Sequence, residues 1–124
     1  MNDLEQMLKG IQGIDYDSAI RRMSDNTALY AELLRHFFKD SPLKKLKAAI
    51  ERQDYTSAEY EAHSIKGTAA NLGMNDISQM AGKIHLCLKG ANFSQAKNCL
   101  AELEQACNIV SSIVKQQDGG TINE

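Results

Sequence analysis

The chain has 124 residues, of which 43% are hydrophobic and 24% charged, with no Trp. That length suits one domain around one core, and the apolar share argues against a disordered chain. Fourteen basic against 16 acidic residues leave a net charge of -2, which argues against a nucleic-acid footprint and against adhesion to an anionic membrane as a main role.

The elements are expected to be helices throughout. A single proline and strong 3.6-residue periodicity point to an all-α protein, and no alternating run is long enough for a strand. Residues 3–9 form a short lead-in helix with Leu4, Met7 and Leu8 on one side, and Gly10 and Gly13 loosen the chain after it. Asp15 is an N-cap for a short helix through Met23. Residues 27–39 carry Tyr30, Leu33, Leu34, Phe37 and Phe38 at helical spacing. Pro42 fits either the first turn of a new helix after Ser41 or a kink in a continuous one. Leu43, Leu46 and Ile50 then face inward over 42–52.

Asp54 caps a helix over 55–72 with Ala58, Ala62, Ile65, Ala69 and Leu72 inside. Gly73 stops it, and Asn75 caps the next. Residues 76–89 bury Ile77, Met80, Ala81, Ile84 and Leu88. Gly90 ends that helix, and Asn92 with Gln95 resembles a capping box. The last helix, 93–115, has Ala96, Leu100, Leu103, Cys107, Val110 and Val114 on one seam. A mobile tail is expected over 116–124. The expected architecture is an antiparallel four-helix bundle with short additional N-terminal helices, one domain over 1–124 with 1–13 as a lead-in segment.

Cys87, Cys99 and Cys107 are an odd number without C-x-x-C spacing, so they read as core fillers rather than a disulfide or zinc framework. No apolar run approaches the roughly 20 residues of a membrane span. The polar start, MNDLEQMLKG, lacks a signal-peptide core. The cytoplasm is the expected compartment.

One segment departs from ordinary helix design. At about 100° per residue, His63 lies roughly 140° from the core axis of its helix and Gly67 about 180° from it. His63 therefore points to solvent. A mid-helix Gly costs about 1 kcal/mol relative to Ala, so Gly67 should be compensated. One compensation is access, since a side chain at i+4 would crowd the imidazole. Lys66, at i+3, brings a positive charge within reach of anything bound to His63. An exposed imidazole with a nearby cation and an open flank suits a nucleophile for a dianionic group. A plain surface histidine beside a packing glycine is the alternative.

The stretch Ala62-His63-Ser64-Ile65-Lys66-Gly67-Thr68-Ala69-Ala70-Asn71-Leu72-Gly73 resembles the signature of histidine-containing phosphotransfer (HPt) domains. Phe37-Phe38-Lys39-Asp40-Ser41-Pro42 resembles the family's phenylalanine-acidic-proline joint, and Leu43 to Asp54 its preceding helix. The resemblance extends over about residues 15 to 115. It implies a phosphorelay intermediate that takes a phosphoryl group from a receiver-domain aspartate onto His63 and passes it to another response regulator receiver. Lys66 would stabilise phosphoryl charge, and Gly67 would be the small residue beside it. The chain would be a phosphocarrier rather than a stand-alone enzyme. It would need no cofactor of its own, with Mg²⁺ expected in the receiver partner.

Many relatives hold the acceptor imidazole with a polar residue on the next helix. A turn centred on Met74 brings His85 level with His63. Glu59, one turn earlier, is the other candidate orienter, and water or backbone the remaining choice. Ala70 and Asn71 continue the docking face, and analogy with the family adds Ile14, Ile20 and Met23. The implied partners are receiver domains and a hybrid sensor histidine kinase, with a monomer as the expected state. Alternatives are a non-catalytic adaptor of degenerate HPt type and a phosphoacceptor fragment of a chemotaxis-type kinase. A metal-binding bundle using His36, His63 and His85 is disfavoured, because no E-x-x-H pair accompanies them.

Overall fold

The computed structural model describes residues 3–122, with side chains as far as Gln116. Seven helices lie among them: α1 (Asp3–Lys9), α2 (Tyr16–Arg22), α3 (Thr27–Lys39), α4 (Pro42–Glu51), α5 (Tyr55–Asn71), α6 (Asn75–Lys89) and α7 (Phe93–Ile122). The starts of four follow from local chemistry. A helix leaves its first N–H groups unpaired, and a short acceptor side chain just before it can take one. Asp15 accepts from the Ser18 amide at 3.1 Å, Asn26 from Leu29 at 2.9 Å, Asp54 from Ser57 at 3.2 Å and Asn92 from Gln95 at 3.3 Å.

Several local expectations are corrected. Only half of a capping box forms at Asn92, because Gln95 Nε2 reaches Cys99 Sγ at 3.7 Å instead. Asn75 is the first residue of α6, and Met74 holds the cap position without a side-chain bond. The backbone stands in for the missing cap: the Asp76 amide donates to the Gly13 carbonyl at 3.2 Å. The segment after α1 is therefore not loose. Ile14 pairs with Met74 in an isolated antiparallel bridge, and the Asp15 amide donates to the Gly73 carbonyl at 2.8 Å. Pro42 opens a new helix, because Ser41 takes a left-handed conformation (φ 53°) and breaks the run from α3. After α6 the left-handed residue is Ala91 (φ 57°), one position beyond Gly90. The backbone of α7 continues through Gly119 and Gly120 to Ile122, so the expected tail is helical from 116 to 122. Its remaining residues, 123 and 124, lie outside the described ones.

The bundle is assembled from α4 to α7, each antiparallel to the next. Between α5 and α6, His63 faces His85 and Lys66 lies over Gly82, so residue numbers fall on one helix as they rise on the other. Tyr55 and Phe93, at the starts of α5 and α7, stack at 3.8 Å with an interplanar angle of 5°, so those two helices run the same way. Lys47 on α4 pairs with Glu104 on α7 at 3.4 Å. The core is the apolar seam of each helix: Leu46 and Ile50, then Ala58, Ala62, Ile65 and Ala69, then Ile77, Ala81, Ile84 and Leu88, then Ala96, Leu100, Leu103, Cys107, Val110 and Val114. The small residues of α5 let its neighbours approach closely.

The C-terminal end of α5 is held from a distance. Its last carbonyls have no partner within the helix. Arg22 Nη2 donates to the carbonyls of Ala70 (2.9 Å) and Asn71 (3.0 Å), and the buried Tyr30 hydroxyl donates to Leu72 at 2.8 Å. Burial pushes the Tyr30 hydroxyl's pKa well up, so it remains a donor. Gly73 then turns the chain with φ +76°, where an added Cβ would run into the Asp15 carbonyl. Tyr30→Phe is expected to cost about 1–3 kcal/mol, because it leaves that carbonyl without its donor. Urea unfolding measures this; an unchanged midpoint would show that the bond contributes nothing.

Candidate functional site

His63 lies on the face of α5 turned away from its buried stripe, and it is exposed. Ala62 and Ile65, on either side of it in sequence, are 0% and 1% exposed. The core stripe thus fixes the direction of the imidazole: burying one face of a regular helix presents the other.

Gly67 stands one turn further along the same face. A Cβ built there would meet nothing within 4 Å. No packing requirement inside the chain therefore calls for glycine at this position, which removes the packing alternative. Space beside the imidazole is what its missing side chain leaves.

Lys66 is exposed on the shoulder of α5 next to α6. Its stem crosses Gly82, whose hypothetical Cβ would touch Lys66 Cδ at 3.5 Å and Cε at 3.6 Å. Ser78 Oγ donates to the Lys66 carbonyl at 2.9 Å, fastening this turn of α5 to α6. Gly82 and Ser78 thus support the lysine, and no reading of the sequence named them. The available signal was the same helix register that located His85. No carboxylate pairs with Lys66 among the described residues.

His85 is level with His63, as the turn geometry predicts. The two ring centroids are 5.5 Å apart, with a 48° tilt between planes. The second candidate orienter, Glu59, enters in another way. Its backbone carbonyl lies 3.3 Å from His85 Nδ1, so Glu59 positions His85 through its main chain. No direct hydrogen bond joins His63 to either residue among the described residues.

The proposed docking residues divide. Ala70 and Asn71 are exposed and continue the His63 face. Ile20 is not available: it is 8% exposed, in the core with Tyr16 and Ala19. Tyr16 packs edge-on against Tyr30 at 5.2 Å, and this contact turns the apolar side of α2 inward. Ile14 and Met23 are half-buried against the same core. Two exposed residues close to the imidazole pair in sequence went unnoticed. Tyr60 on α5 is 71% exposed, and Leu86 on α6 is 69% exposed.

The cysteines stand apart from this face. Cys99 and Cys107 are buried and Cys87 is half-buried. Burial pushes the Cys107 thiol up to about 11 and raises that of Cys87, which makes them poor nucleophiles. Among the described residues no three His, Cys, Asp or Glu side chains gather as a metal cluster, so His36 does not join His63 and His85. Nor is any helix among them long and apolar enough to cross a membrane.

An all-helical bundle that presents an exposed histidine beside a lysine, with open space where a glycine stands one turn on, has the form of a phosphate-carrying module. The Hpt domain family model matches residues 32–113, more than half of the sequence, and the chain belongs to that family. Neither a curated protein nor a solved structure matches it. Hpt domains are phosphocarriers rather than classical enzymes, and they interact with receiver domains of two-component systems. Helices α1 and α2 lie outside the matched region.

Proposed function

We propose that His63 is the phosphoacceptor of a phosphorelay intermediate. A neutral imidazole nitrogen, Nε2 by analogy with the family, attacks the phosphorus of a receiver's aspartyl phosphate in line. The N–P bond forms as the P–O bond to the aspartate breaks, and the carboxylate leaves on the receiver. The reverse step loads a second receiver. The Mg²⁺ and acidic residues that assist this chemistry belong to the receiver, and this chain supplies the nucleophile, a cation and access.

The observation that carries the reading is the empty space beside Gly67 on the same face as the exposed His63. A partner's active-site rim needs such room, and nothing inside the chain uses it. In this reading Lys66, one turn from His63 on α5, offsets charge on the equatorial phosphoryl oxygens as a donor.

The direct test incubates the chain with phosphorylated receiver domains and asks where the label goes. The expected product is an acid-labile, base-stable phosphate mapped to His63 by mass spectrometry. Failure to accept phosphate from any receiver of the source organism would favour the adaptor reading. Lys66→Ala is expected to slow transfer by about 10- to 100-fold, the range of a lost charge-stabilising donor. Rapid-quench kinetics measure this, and an unchanged rate would make Lys66 a solvated bystander.

A further inference from the structure

The relay reading uses His63 as a nucleophile and gives His85 at most a supporting part. The two imidazoles together offer another chemistry. A carbonyl oxygen can only accept, so the 3.3 Å contact between His85 Nδ1 and the Glu59 carbonyl is a hydrogen bond with the proton on Nδ1. In the neutral ring the lone pair then lies on Nε2. One ring nitrogen donating to a backbone carbonyl while the other stays free is the usual state of a metal-binding histidine. His63, exposed and level with it, brings a second imidazole.

The spacing agrees. With Zn–N bonds of about 2.0–2.1 Å, two imidazoles on one tetrahedral zinc have ring centroids about 5 Å apart. Here the centroids are 5.5 Å apart. Binding requires the exposed His63 ring to turn a free nitrogen toward His85 Nε2.

The geometry points to a two-histidine site for a borderline-soft divalent ion of the Zn²⁺ class, held between His63 and His85 with water in the remaining positions. Mg²⁺ prefers oxygen ligands and octahedral geometry, so the ion a receiver requires does not compete. The Lys66 ammonium on the same face opposes a bound cation, and two protein ligands hold it more weakly than a closed structural site would. The ion is therefore exchangeable. While bound it occupies the His63 lone pair, so the same imidazole cannot attack phosphorus. That consequence rests on the phosphoacceptor reading; the binding itself does not.

The test starts with unphosphorylated protein and ZnCl₂ alone, in a Cys87→Ser background that removes the one thiol not fully buried. Isothermal titration gives the affinity, and NMR follows the imidazole signals of His36, His63 and His85. The expected result is that His63 and His85 shift together while His36 does not. His85→Gln removes one of the two ligands and should weaken binding by at least about tenfold, the lower end of what loss of an outer-shell partner alone costs. Lys66→Ala should tighten binding. Equal affinity in the parent and His85→Gln, or a response confined to His36, would overturn the site. In a second arm, Zn²⁺ should slow transfer from a phosphorylated receiver, a chelator should restore it, and His85→Gln should need more Zn²⁺ for the same inhibition. The receiver's own phosphorylation level, followed without this chain, controls for zinc acting on the partner. Zinc binding without any effect on transfer would overturn the blocking role. A chain that binds zinc through both histidines but never accepts phosphate would sink the relay reading and leave the metal site standing.

Discussion

His63→Gln is expected to abolish transfer from a phosphorylated receiver while leaving the fold intact. Glutamine offers hydrogen bonds but no ring nitrogen to form an N–P bond, so the loss should be complete within detection. The fold should not suffer, because His63 is exposed and the α5 core stripe runs along the opposite side. Surface substitutions of this kind usually change stability by no more than about 0.5 kcal/mol, and Gln is a slightly better helix former than His. Circular dichroism and thermal unfolding should be indistinguishable from the parent. Transfer at the parental rate would remove His63 from the mechanism. Lost transfer with lost helicity would instead show that the imidazole holds the bundle together.

Gly67→Gln is expected to make the protein more stable and less active at once. The new side chain leaves α5 into space where even a Cβ would meet no atom within 4 Å. Helix propensity then favours Gln over Gly by about 0.5–1 kcal/mol, so the melting temperature should rise. The same side chain stands one turn from His63, where a receiver must approach. Displacing reacting groups by about 1 Å can cost about 100-fold in rate, and a loss of at least that order is expected in rapid-quench transfer. Gly67→Ala separates the two effects, with most of the helix gain and little of the obstruction. Parental transfer by Gly67→Gln would refute the access argument. A fall in stability would mean that glycine answers a constraint within α5 itself.

The helices were legible because their signals are local. A capping side chain reaches an amide only three residues on, so Asp15, Asp54 and Asn92 could be named from adjacent residues. The outward direction of His63 was equally legible, since it depends only on the angle between one residue and the apolar stripe of its own helix. Level pairing with His85 needed one further quantity, the length of a short turn. The misreadings share a different origin. Asn75 has the right side chain for a cap, but the approaching loop supplied the Gly13 carbonyl to the next amide. Ile20 was named for docking by analogy with the family, but its burial depends on how α2 rolls against α3 through Tyr16 and Tyr30.

Composition and periodicity alone thus determined an all-helical chain, the stripe each bundle helix buries, and an imidazole, an ammonium group and a missing side chain on or beside one outward face. Only tertiary structure decided what stands around them. It laid the Lys66 stem across Gly82, tied His85 to the Glu59 carbonyl, and closed the end of α5 with Arg22 and Tyr30. The physical reason is range. Helical periodicity sets directions within one element, whereas contacts between elements depend on the rotation and depth at which separate helices settle when their apolar seams pack.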